Sequence, residues 1–307
     1  MTYPGALRFI AFRLFHAALV VVAASLLCFA LVSMSRYEYL VGLPQDPLLE
    51  RYWHWIARLL CGDWGVSSQT GEPVLEAIVT RFPVTLQLLG LSIGVIVLLA
   101  VPLGVVSALF RDRWIDHLVS GTALLLTSIP SFLLAIVLIF VFATGLEWLP
   151  VTRYERFSED PLANLAAFVL PVLSIALTEW AFAMRVLRAE LLIAFQEEFV
   201  LLAYAKGLPR WRIVMRHMLR PSSFSLVTVV GLQAGVLLGG VVLIERIFAL
   251  PGVGRLLFNA LLTRDVVVAQ GCVLVMAMGV AVIGLAADLL YLRLDPRVAG
   301  GVRRQAA

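Results

Sequence analysis

Serines lie within strongly apolar stretches of the chain, among them Ser25, Ser33, Ser92, Ser107, Ser120, Ser128 and Ser131. A hydroxyl nucleophile needs a base within hydrogen-bond reach and a further group to orient that base. The histidines available to such stretches, His16 and His117, sit near their ends, and no Asp/Glu cluster accompanies them. Cys28, Cys61 and Cys272 are far apart and His16, His54, His117 and His217 are scattered, so no metal-type spacing exists. Lys206 is the single lysine, and no Gly-Lys-Ser/Thr follows a Gly-rich turn, which removes the phosphate-cradling loop of an NTPase. These absences argue against an enzyme. Glu179 remains, a carboxylate at the end of an 18-residue charge-free run. Inside a membrane such a group is costly unless paired or wet, so it is expected to face either a cargo path or a partner on another subunit.

The elements that must position these residues follow from composition. Of 307 residues, 61% are hydrophobic and 14% charged, against about 45–50% and about 25% in soluble domains. One buried core cannot absorb that excess. The charge-free runs 14–35, 82–110, 118–146, 161–178, 221–244 and 266–287 each hold at least 18 residues, enough to read as bilayer-crossing helices. The expectation is an all-α, polytopic inner-membrane protein with six transmembrane helices, at about 10–34, 83–109, 118–145, 164–187, 222–244 and 267–290. The first exceeds the roughly 7–15 residues of a secretion-signal core and lacks a following cleavage site, so it is read as an uncleaved span. With both termini cytoplasmic, 15 of the 24 basic residues fall inside, which is the bias that orients such helices. The net charge of +4 is thereby explained without a nucleic-acid partner.

Between the spans, residues 36–81 and 245–265 are expected outside and 188–221 inside. In the first outside segment, 45–62 places Leu48, Leu49, Tyr52, Trp53, Ile56, Leu59 and Leu60 at helical spacing, and Trp53, Trp55 and Trp64 suit a membrane–water interface. In the third span, Thr127-Ser128-Ile129-Pro130-Ser131 predicts a kink, with hydroxyls satisfying the freed carbonyls; a pore-lining role and a purely structural one fit equally. Inside, residues 197–206 read as a helix with acids in its first turn and a base in its last. Gly207 is a left-handed stop, Pro209 lies two residues beyond, and a short basic helix follows over 210–220. Its apolar face of Phe199, Leu202, Ala203 and the stem of Lys206 suits either a docking element or a helix resting on lipid. Between spans five and six, Pro251-Gly252 breaks the backbone within Glu245–Arg255. Such backbone survives at membrane depth only when buried in protein or lining a cavity, so the segment is a gate or a static packing hairpin.

Two of these segments carry a resemblance. Ala203-Tyr204-Ala205-Lys206-Gly207-Leu208, followed by Arg216-His217 and Leu219-Arg220, resembles the cytoplasmic "EAA" loop of permeases in binding-protein-dependent ABC importers. More narrowly the chain resembles the first permease subunit of the oligopeptide/dipeptide/nickel family. Gly62-Asp63-Trp64-Gly65, Pro73-Val74, Ser128 to Phe132, Trp148-Leu149-Pro150, Gly239-Gly240, Glu245 to Gly254, Arg264-Asp265, Asp288 and Leu294-Asp295-Pro296-Arg297 support it in the same order. The resemblance implies a second homologous permease, two cytoplasmic ABC ATPases, an extracytoplasmic solute-binding protein, and a bacterial or archaeal inner membrane. It implies no cofactor in this chain, with ATP and Mg held by the ATPases. It assigns ATPase coupling to Leu202, Ala203, Lys206, Gly207 and Leu208, with Ala203 letting the helix sit close against the ATPase. Glu245, Phe248, Pro251, Gly252 and Gly254 match the outer gating segment, and with Ser128, Pro130 and Glu179 they make up the expected gate and translocation path. The sequence departs from the family in having Leu201 and Leu202 where the broad superfamily has Glu and Ala, in a shortened segment around Asp46-Pro47, and in Gly284 for an asparagine ahead of Asp288.

Peptides are the default cargo, with nickel chelates or glutathione-like solutes as alternatives. The competing class is an ATP-independent secondary transporter or channel. Such proteins often carry several intramembrane coupling charges. Here only Glu179 and Asp288 qualify, and the inside helix–Gly–helix would have no task.

Overall fold

The computed structural model of the chain describes residues 4–34, 47–152 and 154–294. Residues 36–46 of the first outside segment, Asp295-Pro296-Arg297 and both extreme termini lie outside the described residues. The architecture is all-α. In order come α1 (Pro4–Met34), α2 (Leu48–Leu60), α3 (Val74–Leu109), α4 (Trp114–Thr127) and α5 (Ser131–Leu138), the last continued by a π-helical stretch Ile139–Gly145. Then follow α6 (Pro161–Ala194), α7 (Glu198–Ala205), and α8 (Arg210–Ile213), which runs through a π turn Val214–Met218 into α9 (Leu219–Ile247). The series ends with α10 (Val253–Leu262) and α11 (Val266–Leu294). Among the described residues the sole strand-like feature is one isolated bridge, Val66 to Pro73.

Among the described residues, five stretches are long and apolar enough to cross a bilayer: Ile10–Ala30, Val74–Leu109, Pro161–Ala194, Arg210–Ile247 and Val266–Leu290. The third expected span, 118–145, is not one straight helix. α4 and the stretch Ser131–Gly145 meet at a bend of 97°. Pro130 has no N–H to continue the ladder, and its extended backbone (φ −58°, ψ 139°) opens the corner. The hydroxyls of Thr127 and Ser128 turn back onto the carbonyls of Ala123 and Leu124 at 2.8 Å each, so the broken end remains satisfied. Ser128 and Pro130 themselves are exposed.

Two helices run on past the expected ends of their spans: α6 continues to Ala194, and the helix that carries span five begins at Arg210. On the extension of α6, Arg188 and Glu190 find partners on neighbouring helices. The basic stretch 210–220 is not a separate helix; the π turn widens the helix just ahead of Pro221, whose ring would crowd a regular α ladder.

The chain groups into two compact units. The first comprises Leu88–Ala234 with the described ends, residues 4–10 and 286–294. α6 is its most enclosed helix, with 56% of its apolar window buried, which makes it the helix the others in this unit pack around. Its start is fixed by Asp160, whose carboxylate accepts from the N–H groups of Leu162 and Ala163 at 3.0 Å, with Pro161 in the first helical position.

The second unit comprises residues 11–34, 47–87 and Gly235–Leu285. Its core joins Val74, Ile78, Val253, Leu257, Ala260, Val268 and Cys272, with Trp64 packed against it. Trp64 is therefore a core-edge residue, unlike Trp53, which is exposed. α2 has no fully buried residue; it is held to α1 by Tyr52, whose hydroxyl lies 2.8 Å from that of Ser25 and whose ring meets Phe29. In the turn after α2, the Arg58 guanidinium beside Asp63 holds its carboxyl below the usual carboxylate range, helped by the Gly65 N–H.

Candidate functional site: a capped coupling turn, a buried hairpin and a mid-span carboxylate

α7 is built from a short apolar sequence, Glu198-Phe199-Val200-Leu201-Leu202-Ala203-Tyr204-Ala205. Val200 and Ala203 are buried, while Phe199, Leu201, Leu202 and Tyr204 are exposed. Ala203 thus faces its own chain, and the exposed face of α7 is formed by Phe199, Leu201, Leu202 and Tyr204. Glu198 occupies the first turn and Lys206 is the C-cap. Gly207 has φ +75°, its N–H bonds the Tyr204 carbonyl at 2.9 Å, and the Leu208 N–H bonds the Ala203 carbonyl at 3.2 Å. These two bonds form a Schellman motif, which closes the helix without outside help. Leu208 is half-buried, and Pro209 then accepts from the Arg212 N–H at 3.0 Å to start α8.

The base of this segment is tied to neighbouring helices by pairs the sequence did not disclose. On α6, Arg188 reaches Asp116 of α4 through Nη2 at 2.7 Å and Nε at 3.0 Å. Ser107 of α3 donates a short hydrogen bond to Asp116 and accepts from Arg188 Nε at 3.0 Å. Two residues further along α6, Glu190 accepts from the Ser225 hydroxyl of α9 at 2.7 Å. The Asp116 carboxylate is almost wholly buried, with 4% of its side chain exposed, so the ion pair is a structural joint and not a solvated surface bridge.

The 245–255 hairpin is organised the opposite way. Glu245 is fully buried. Its carboxylate accepts from the Thr85 hydroxyl at 2.6 Å and from the Arg255 N–H at 2.9 Å, and Thr85 Oγ1 in turn accepts from the Val253 N–H at 2.9 Å. Val253 and Arg255 belong to the first turn of α10, where a negative group is favoured by the unpaired N–H groups and the helix dipole. A Cβ at Gly252 would collide with that carboxylate, and one at Gly254 would stand 2.7 Å from Val242 Cα. Both glycines are required for room, not for backbone freedom. The left-handed residue of the turn is Ala249, with φ +53°, whose carbonyl accepts from Arg255 Nη1 at 2.5 Å. Phe248 is buried and Pro251 half-buried. The hairpin residues are thus gathered into one satisfied cluster.

Glu179 lies mid-way along α6 and is half-buried. Gln233 of α9 donates through Nε2 to the Glu179 carbonyl at 3.0 Å and to its carboxylate at 3.2 Å. No hydrogen bond among the described residues joins this pair to Ser128 or Pro130. Gln233 was not singled out from sequence, since a glutamine in an apolar run carries no spacing signal. Among the described residues no group of three or more His, Cys, Asp or Glu side chains could hold a metal ion.

Residues 100–300 match the family described as the binding-protein-dependent transport system inner membrane component, a stretch that includes both the 198–208 segment and the 245–255 hairpin. The chain belongs to that family. A putative peptide transport system permease protein of Brucella abortus is 36% identical over 266 residues, covering 87% of this chain and 84% of the relative. The glutathione transport system permease protein GsiC of Escherichia coli is 34% identical over 258 residues, covering 84% and 81%. The chain is accordingly a permease of the peptide-type ABC importers, a multi-pass membrane protein whose relatives are transport components and not catalysts. Within this permease, α1 and α2 precede the family match, while the Gly207 turn, its tied base and the hairpin all fall inside it.

Proposed function

We propose that this permease forms half of the translocation path of an ATP-driven importer, paired with a second homologous permease in a bacterial or archaeal inner membrane. Both termini face the cytoplasm. α7 with Gly207 docks on one of two cytoplasmic ATPases, and an extracytoplasmic binding protein delivers cargo at the opposite side. The chain itself is non-catalytic; ATP and Mg bind to the ATPases. The cargo class is peptides or similar small amide-bearing solutes, in keeping with relatives named for peptide and glutathione transport.

The observation that carries this reading is the exposed face of α7. Phe199, Leu201, Leu202 and Tyr204 present a contiguous apolar surface on a helix whose backbone ends are already capped. Such a surface on a short rigid element is unfinished unless something covers it. An ATPase groove would cover it, and the Arg188–Asp116 and Glu190–Ser225 ties would pass its motion to α3, α4, α6 and α9. ATP binding shifts the spans only as far as it favours one packing over another.

The test is gentle affinity purification of the tagged chain from its native membrane. Stoichiometric recovery of a second permease, ATPases and a binding protein is the expected result. Recovery of the chain alone or as a homo-oligomer would overturn the importer assignment.

A further inference from the structure

The Glu179 carboxylate has an unusual environment. It lies 18 residues after Pro161 and 15 before Ala194 on one helix, about 27 Å and about 22 Å from its two ends at 1.5 Å per residue. Within the expected span 164–187 that position lies inside the membrane, where a carboxylate persists only beside a cation, a donor or water. Among the described residues its side chain has one partner, the amide of Gln233, and no cation. The amide orientation is fixed by the two acceptors it serves, the Glu179 carbonyl and carboxylate. That orientation turns the Gln233 carbonyl oxygen away, and this oxygen is buried with no hydrogen-bond partner. Gln233 as a whole is 8% exposed. The pair therefore offers a half-buried anion backed by an unused acceptor, an arrangement that lacks a donor of positive charge.

We propose that Glu179 and Gln233 form an intramembrane subsite for a primary ammonium group on the cargo, such as the free amino terminus of a peptide. Glu179 supplies the charge, and Gln233 positions the carboxylate and contributes its free carbonyl once the cargo parts the two helices. The subsite rests on the importer reading, since it needs a cargo path beside α6 and α9. It gives that path a preference by charge, separate from selection by the binding protein.

The test uses the complete complex, purified with its partner subunits and reconstituted in liposomes. Uptake is measured for trialanine and glutathione and for their N-acetylated counterparts, each supplied on saturating binding protein. Glu179→Gln is expected to slow the free-amine cargo at least tenfold while changing the acetylated one less than twofold, and Glu179→Asp is expected to restore most of the rate. Equal slowing of both cargoes, or of neither, overturns the subsite. So does loss of a subunit from the Glu179→Gln complex, because the missing cation then belongs to a partner chain. If the wild-type complex carries none of the four solutes, the proposed cargo class fails. If it carries them and Glu179→Gln does not discriminate, the subsite alone fails.

Discussion

The 198–208 segment and the 245–255 hairpin use the same vocabulary of helix, break, glycine and helix, and they use it to opposite ends. In the first, the chain satisfies its own backbone through the Gly207 turn and leaves Phe199, Leu201, Leu202 and Tyr204 outside. In the second, the side chains satisfy the backbone: Glu245 and Thr85 receive the first N–H groups of α10, and Phe248 and Leu250 are buried. One element is finished internally and the other is finished only by contact. The glycines show the same division, because Gly207 supplies a left-handed angle while Gly252 and Gly254 supply room.

This contrast places damage to the hairpin mainly in the chain's own stability and damage to the 198–208 segment mainly in the assembled transporter. Gly252→Val should have the largest effect, because its side chain meets a carboxylate pinned by Thr85 and the Arg255 N–H. Overpacking costs about 1–3 kcal/mol, and losing the pinned network adds about 1–3 kcal/mol for each orphaned donor. Tryptophan-monitored unfolding of the detergent-solubilised chain should show little folded protein. Glu245→Ala comes next, leaving the Thr85 hydroxyl and the Arg255 N–H without their acceptor, at about 1–3 kcal/mol each; the midpoint of the same unfolding curve checks it.

Gly207→Val should cost the isolated chain about 1–2 kcal/mol, the penalty of a left-handed L-residue, yet abolish coupled uptake because the docking turn is displaced. Normal transport by that variant would show that the turn is not the coupling element. The smallest effect on stability belongs to Leu202→Ser, within about 0.5 kcal/mol for an exposed site, with ATPase co-purification falling several-fold. An unfolding shift for Leu202→Ser as large as that for Glu245→Ala would erase the distinction between the two regions.

Much of the helical architecture was legible because apolar runs between charges mark helices that cross a bilayer. The same signal does not mark helix ends: the expected span stops at 187, while α6 carries on through Arg188 and Glu190 to Ala194. Those residues stay helical by reaching Asp116, 72 positions away, and Ser225, 35 positions away. A single sequence carries no trace of such pairings. Gly207 was readable because glycine followed by proline states its backbone angle locally. The left-handed residue of the hairpin was not, because it is Ala249, a residue type that rarely takes that angle. Thr85 opposite Glu245 was equally silent, 160 positions apart.

The corner at Pro130 has a consequence for the lipid around the protein. Trp114–Thr127 and Ser131–Gly145 are 14 and 15 residues long, about 21 Å and about 22 Å at 1.5 Å per residue. Neither alone matches a hydrocarbon layer of about 30 Å. Two such helices bent by 97°, if tilted equally, would together reach only about 28 Å along the membrane normal, where a straight rod of the same length would overshoot at about 43 Å. For a pair crossing in that way, the thickness it fits is set by an angle and not by a residue count.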